Sequence, residues 1–188
     1  TFPSDGLYLN DLVEELCYHA ATVNHVPLKH CFPGDVEKLF LPLSFDLIAS
    51  ASTFQWFTTP EETFKKLSKR LEQRGVLVFS TFGKFNLREI RLTTGGGLDY
   101  RNKEELEKML KPYFEIELIE EEFHMLEFDT PLAVLQHLKK TGVNVSGDPT
   151  IWTKGRVDAF IKDYNARFAI DGKVALTYHP LYFVCRRK

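Results

Sequence analysis

Two aspartates stand where a layered α/β sheet would place ligand-binding acids. Asp11 follows the apolar run Leu7-Tyr8-Leu9 and Asn10, and Asp35 follows Pro33-Gly34. An acid at the carboxyl end of a parallel strand can accept both hydroxyls of a ribose. A loop carboxylate after Pro-Gly can accept an amino group of a base, or simply form a turn. Asp11 has a second reading of equal standing, as the cap of a helix starting at Leu12. Other reactive types lack a pattern: Cys17, His19, His25, His30 and Cys31 crowd into one stretch, but their spacings fit no zinc set, so no metal is expected. Gly95-Gly96-Gly97 follows a helix rather than a strand and reads as a flexible loop, not a phosphate cradle. Glu120-Glu121-Glu122 reads as a solvated strand end. Lys139, Lys140, Lys154 and Arg156 are either ordinary surface charge or a docking patch for an acidic protein.

The elements that must position these residues alternate. Leu7–Leu9 reads as a strand and Leu12–Ala21 as a helix with Leu12, Val13, Leu16 and Ala20 on one face; Val26–Cys31 is a weaker strand candidate. Phe45–Ser50 and Val76–Ser80 are fully apolar strand patterns, separated by a helix that Thr59-Pro60-Glu61-Glu62 opens as a capping box and Gly75 closes. That segment is a right-handed βαβ unit. Asn102 with Glu105 caps a further helix, Phe114–Ile119 is a strand, and helices follow from Thr130-Pro131 and from Thr153. The runs Val174–Tyr178 and Leu181–Val184 close the chain, the last pairing antiparallel with the strand near Phe114. The 188 residues carry 24 Lys and Arg against 26 Asp and Glu, a net charge of −2, which disfavours a phosphate-dominated nucleic-acid binder. No run is apolar and long enough to span a membrane, and three cysteines without a C-x-x-C pair suit a reduced, cytoplasmic protein.

The order of "LYLNDL", "PGDVEKL", "FDLIASASTFQW" and "GVLVFST" resembles class I S-adenosylmethionine-dependent methyltransferases. "FQW", "LKKTGVN", "WTK" and above all "LTYHPLYFVCRR" narrow the resemblance to the malonyl-[acyl-carrier protein] O-methyltransferases of biotin synthesis, over nearly the whole chain. The resemblance implies a doubly wound, Rossmann-like α/β sheet, mainly parallel with an antiparallel closing strand, as one domain with a helical insertion over about 129–170. It implies S-adenosylmethionine as cofactor, held by Asp11, Leu12, Asp35, Val36 and the segment Ser50, Ala51 and Ser52. Gln55, Trp56, Tyr178 and His179 match positions near the acceptor pocket, although Trp56 could equally be a core aromatic and Tyr178-His179 a satisfied pair at a strand end. A cation should hold the malonyl carboxylate, and Lys84, Arg88 and Arg91 are the candidates on the ligand side. The partner implied is a malonyl-bearing acyl carrier protein, with no nucleic acid and no membrane. The family's first strand and G-x-G-x-G loop have no counterpart, since Leu7 already matches the second strand. The expectation is therefore that residues precede Thr1 in the natural protein.

Overall fold

The computed structural model describes residues 6–142 and 153–188. Strands β1 (Phe45–Ser50) and β2 (Leu71–Phe82) pair in parallel and are joined by helix α2 (Pro60–Ser68). Strand β7 (Pro180–Arg187) runs antiparallel between β2 and β3 (Phe114–Glu121), giving the order β1-β2-β7-β3. Three strands thus share one direction and the closing strand opposes them, as expected; it lies inside the sheet rather than at its edge. One face of this sheet is dry: Phe79 stacks on Phe183 at 4.8 Å and on Phe54 at 4.4 Å, with α2 and helix α4 (Lys103–Leu110) contributing Phe64, Leu67, Leu106 and Leu110.

A second, antiparallel sheet was not legible in advance. Strands β4 (His124–Phe128), β5 (Ala169–Ile170) and β6 (Lys173–Tyr178) pair in the order β4-β6-β5. Helices α3 (Arg88–Thr94), α5 (Pro131–Lys140) and α6 (Lys154–Phe168) bring to it a core of their own, including Ile90, Val134, Leu138, Tyr164 and Leu176. The helices expected at Thr130 and Thr153 form with those hydroxyls accepting from Ala133 N and Arg156 N, and Asn102 and Glu105 close a reciprocal capping box on α4.

Four local expectations change. Thr59 does not cap α2 through its side chain; its hydroxyl donates to Glu37 instead, 2.9 Å away. That helix ends at Ser68, and Gly75 lies within β2, where the register against β1 slips between Phe45↔Leu71 and Leu47↔Val76. A Cβ at Gly75 would sit 3.0 Å from Glu72 O, so a larger residue at the bulge would need its neighbours to shift by a few tenths of an ångström. Leu9 forms only an isolated parallel bridge to Cys31, and Pro27 starts a 3₁₀ turn over Leu28–His30 in place of a strand. Helix α1 (Glu14–Val23) buries the small residues Cys17 and Ala21, while Leu12 and Leu16 are 73% and 56% exposed, so its packed face is not the one the leucines mark.

Candidate active site

Three loops at the carboxyl ends of the strands are tied together by polar side chains. Asn10 donates from Nδ2 to Phe32 O at 2.6 Å and Gly34 O at 2.9 Å, and Gly34 N donates to Asp11 O at 2.8 Å, which brings the Asp11 and Asp35 loops side by side. Asp11 Oδ1 accepts from Val13 N at 2.8 Å in a local turn that ends before α1. The N-cap of that helix is Val13 and no side chain caps it, so Asp11 is not its cap, and Oδ2 takes no hydrogen bond from the described residues. Asp35 is engaged locally, accepting from Glu37 N at 2.9 Å and pairing with exposed Lys38 at 3.0 Å. Leu12 is open to solvent, whereas Val36 packs against the main core and its carbonyl accepts from Lys66 Nζ at 2.7 Å.

Glu37 joins this pair of loops to the start of α2. Its carboxylate accepts from Thr58 N, Thr58 Oγ1, Thr59 N and Thr59 Oγ1 at 2.7 to 3.0 Å. Burial would raise its pKa, but these donors outweigh burial and hold the carboxyl below its ordinary value.

The segment after β1 turns sharply. Ser52 adopts a left-handed φ of 52°, which costs a non-glycine residue and needs surrounding support. Its N–H donates to Ser80 O at 3.0 Å and Ser80 Oγ at 3.2 Å, while its carbonyl accepts from Gln55, whose Oε1 accepts from Thr81 Oγ1. Gln55 therefore fastens the Ser50–Ser52 turn to the end of β2. Trp56 is 52% exposed and is not a core aromatic.

Beside that turn lies a cavity of about 290 Å³ bordered by Ser52 and Ser80 on one side and by His124, Tyr178 and Pro180 on the other. A pocket beyond the carboxyl ends of parallel strands is the usual ligand position in such sheets. Tyr178 and His124 are direct cross-strand neighbours. Burial holds the Tyr178 phenol above its ordinary pKa, with the Thr141 hydroxyl opposing that rise. His124 Nε2 pairs with Glu122 at 2.7 Å.

His179, between pocket-lining Tyr178 and Pro180, points away from the pocket and is 1% exposed. Phe85 N donates to its Nδ1 at 3.1 Å, so its proton is on Nε2 and goes to Glu121 Oε1 at 2.8 Å. Its ring stacks on Phe123 at 4.2 Å, its carbonyl accepts from Gly83 N at 2.8 Å and its N–H donates to Asn86 Oδ1 at 3.1 Å. A Cβ on Gly83 would fall 2.5 Å from the imidazole. His179 thus ties together the three chain crossings between the two sheets.

The three cations divide clearly. Arg88 Nε pairs at 3.1 Å with Glu89, a fully buried carboxylate that also accepts from Thr177 N and Oγ1 at 2.9 and 2.6 Å. Lys84 is exposed. Arg91 lies over Tyr100 with Cζ 5.7 Å from the ring centroid, donates from Nη2 to Lys84 O, and keeps a buried Nε without a hydrogen-bond partner. Tyr100 in turn meets the pocket-lining Phe82 edge-on at 6.5 Å.

Lys139, Lys140, Lys154 and Arg156 are all exposed, with no ion-pair partner among the described residues. Asn10, Glu37, Ser80, Glu89 and His137 were not anticipated, because their partners lie far away along the chain and no periodicity marks them.

This sheet, with its βαβ unit and pocket, defines a methyltransferase-type α/β protein. The crystal structure of the YcgJ protein from Bacillus subtilis shares the fold with a TM-score of 0.66 over 95% of this chain and 81% of that one, at 14% identity. Residues 6–79 match the family model described as a methyltransferase domain. The chain is 40% identical to the malonyl-[acyl-carrier protein] O-methyltransferase of Bacteroides thetaiotaomicron, over 100% of this chain and 76% of the relative. It is 47% identical to the protein of that name from Bacteroides helcogenes, over 83% of this chain but only 57% of the relative's length. The chain belongs to the malonyl-[acyl-carrier protein] O-methyltransferase family.

Proposed function

We propose that the protein is a cytoplasmic enzyme of biotin synthesis that transfers a methyl group from S-adenosylmethionine to the free carboxylate of malonyl-[acyl-carrier protein]. The observation that carries the reading is 40% identity to a relative of that name along the whole of this chain. Among the described residues no helix is long and apolar enough to cross a membrane, and Cys17, Cys31 and Cys185 are free, which suits that setting. We read the chain as one domain with a helical insertion over about 129–170, of which residues 143–152 lie outside the described residues and the described part includes α5 and α6.

The residues present fit the cofactor. Asp11 has one carboxylate oxygen engaged and the other available for a ribose diol. Asp35 and Val36 lie on the adjoining loop, where an adenine would stack and donate its amino group. Ser50, Ala51 and Ser52, whose backbone turns sharply at Ser52, would hold the methionine moiety, and exposed Leu12 would adjoin the adenine. The cofactor supplies the methyl group as a substituent of a sulfonium.

The acceptor needs no general base, because its carboxylate is already ionised at neutral pH. What the protein contributes is alignment: one carboxylate oxygen must lie in line with the methyl carbon, so that the O–CH₃ bond forms as the S–CH₃ bond breaks. Tyr178, Ser52 and Ser80 border the space where that meeting occurs. Arg91, with its unpartnered Nε, is the cation best placed to hold the anion, since Arg88 is committed to Glu89. Gln55 acts through Ser52, and His179 acts through the joint between the sheets. Lys139, Lys140, Lys154 and Arg156 form the docking surface for the acidic carrier.

The test is incubation with S-adenosylmethionine and either malonyl-[acyl-carrier protein] or malonyl-coenzyme A, with mass spectrometry of the acyl group. Methyl ester on the carrier-bound substrate, and a KM raised about tenfold in Arg91→Gln by loss of a charged hydrogen bond, are the expected results. Failure to methylate either thioester while a small free acid is methylated would replace this reading with that of a small-molecule methyltransferase.

A further inference from the structure

The Tyr178 hydroxyl lies 2.9 Å from Nε2 of His137, a residue of α5 outside the set of side chains bordering the cavity. We propose that His137 is a positioning residue that turns the Tyr178 hydroxyl toward the acceptor, so that the phenol donates its proton to the substrate carboxylate. The inference rests on the functional reading above.

A phenol has one proton to give and lone pairs that accept. If that proton goes to His137, Tyr178 presents lone pairs to an approaching anion, which repel it. If instead His137 donates from Nε2, the phenolic proton is free for the anion, and the bond it makes is charge-assisted. His137 can take the donor role because its tautomer is not locked: its Nδ1 has no hydrogen-bond partner among the described residues. His179 contrasts with it, since Phe85 N fixes that ring's proton on Nε2.

The imidazole is held in place for this task. It packs against Phe128 at 5.2 Å and meets Tyr178 edge-on at 6.0 Å with an interplanar angle of 80°. Its helix is capped by Thr130 and anchored by Val134 and Leu138, both fully buried. Thr141, at the C-cap of that helix, directs its hydroxyl to the carbonyls of His137 and Leu138 at 3.2 and 3.1 Å and also neighbours the Tyr178 phenol; with its proton held by those carbonyls it is less free than the imidazole to switch roles. The acceptor oxygen loses charge as it becomes an ester. A hydrogen bond from Tyr178 is therefore stronger to the bound substrate than to the transition state, and its loss weakens binding without slowing turnover.

Two polar variants of different reach test this in steady-state kinetics. His137→Asn, too short to meet Tyr178, should raise KM for the malonyl thioester about tenfold with kcat unchanged or slightly higher. Affinity for S-adenosylhomocysteine should not change. His137→Gln, whose amide nitrogen can donate from a similar distance, should recover most of the loss, and His137→Asn should add nothing in a Tyr178→Phe background. A working wild type with an unaltered His137→Asn, or with equal losses in Asn and Gln variants, overturns this inference alone. A wild type that methylates neither thioester overturns the functional reading and this inference with it.

Discussion

Of the two roles that its place in the chain allowed, Asp11 does not take the helix cap, and the ribose-binding role is the one to test. Oδ1 accepts from Val13 N in the turn before α1, and Oδ2 takes no hydrogen bond from the described residues. Turn and ligand separate by substitution, because asparagine keeps the oxygen that accepts from Val13 N but loses the charge that would strengthen hydrogen bonds from a ribose diol. Asp11→Ala should weaken S-adenosylhomocysteine binding by about 2 to 4 kcal/mol and lower the melting temperature. Asp11→Asn should lose less affinity and leave the melting temperature nearly unchanged. Isothermal titration paired with thermal unfolding reads both, and unchanged affinity in the alanine variant would leave Asp11 as a turn former alone. Residue type and position singled out Asp11, whereas Tyr178, which borders the cavity, was marked only by the family resemblance. His179 was legible only in part: alternation along a strand says that Tyr178 and His179 face opposite ways, but not which of the two faces the cavity. That is set by Glu121, Phe123 and Phe85, which arrive from distant segments.

At the scale of elements, the strands and caps that depend on local pattern were readable, and those that depend on a remote partner were not. Asn102 with Glu105 and Thr130 with Ala133 are short-range devices and form as expected. Thr59 has the same signature, yet Glu37 lies 22 residues earlier and takes its hydroxyl. The consequence is that one carboxylate joins the loop of Asp35 to the start of α2. Its pKa is held below the ordinary carboxylate value, so its contribution to stability is fully present above that ordinary value and is lost as pH falls through it toward the folded-state value. Glu37→Gln keeps one acceptor and should cost about 1 to 2 kcal/mol at neutral pH, a figure already reduced for partial exposure. The gap between wild type and variant should narrow on acidification below about pH 4, near the unperturbed glutamate value. Urea denaturation at both pH values measures the gap, and a gap that widens in acid would contradict the assignment. The second sheet escaped the sequence reading because β4 and β5 are 5 and 2 residues long and their face is mostly exposed, so neither carries an apolar run.

The whole molecule is two cores joined at His179: one beneath the mixed sheet, the other between the second sheet and α3, α5 and α6. Asp11 and Asp35 belong to the first part and the four exposed cations to the second, whose strands also supply the cavity residues His124 and Tyr178. The four cations are not equivalent. Lys139 and Lys140 occupy the last turn of α5, where the helix dipole favours positive charge, and so have a stabilising role without an ion-pair partner among the described residues. Lys154 and Arg156 stand in the first turn of α6, which contains no acidic residue, and there the dipole opposes them. Positive charge kept at an unfavourable end fits a surface whose purpose is to meet an acidic partner. Such an encounter acts mainly through association rate and is screened by salt. Reversing Lys139 and Lys140 to Glu should lower kcat/KM for malonyl-[acyl-carrier protein] about tenfold while sparing malonyl-coenzyme A, which needs no protein surface. The Lys154→Glu, Arg156→Glu pair should do the same, with the melting temperature held or raised because the new charges suit the dipole. The wild-type preference for the carrier should itself shrink as ionic strength rises past about 0.15 M. Equal losses on both thioesters would move these residues into the fold or the cavity, and no loss on either would return them to ordinary surface charge.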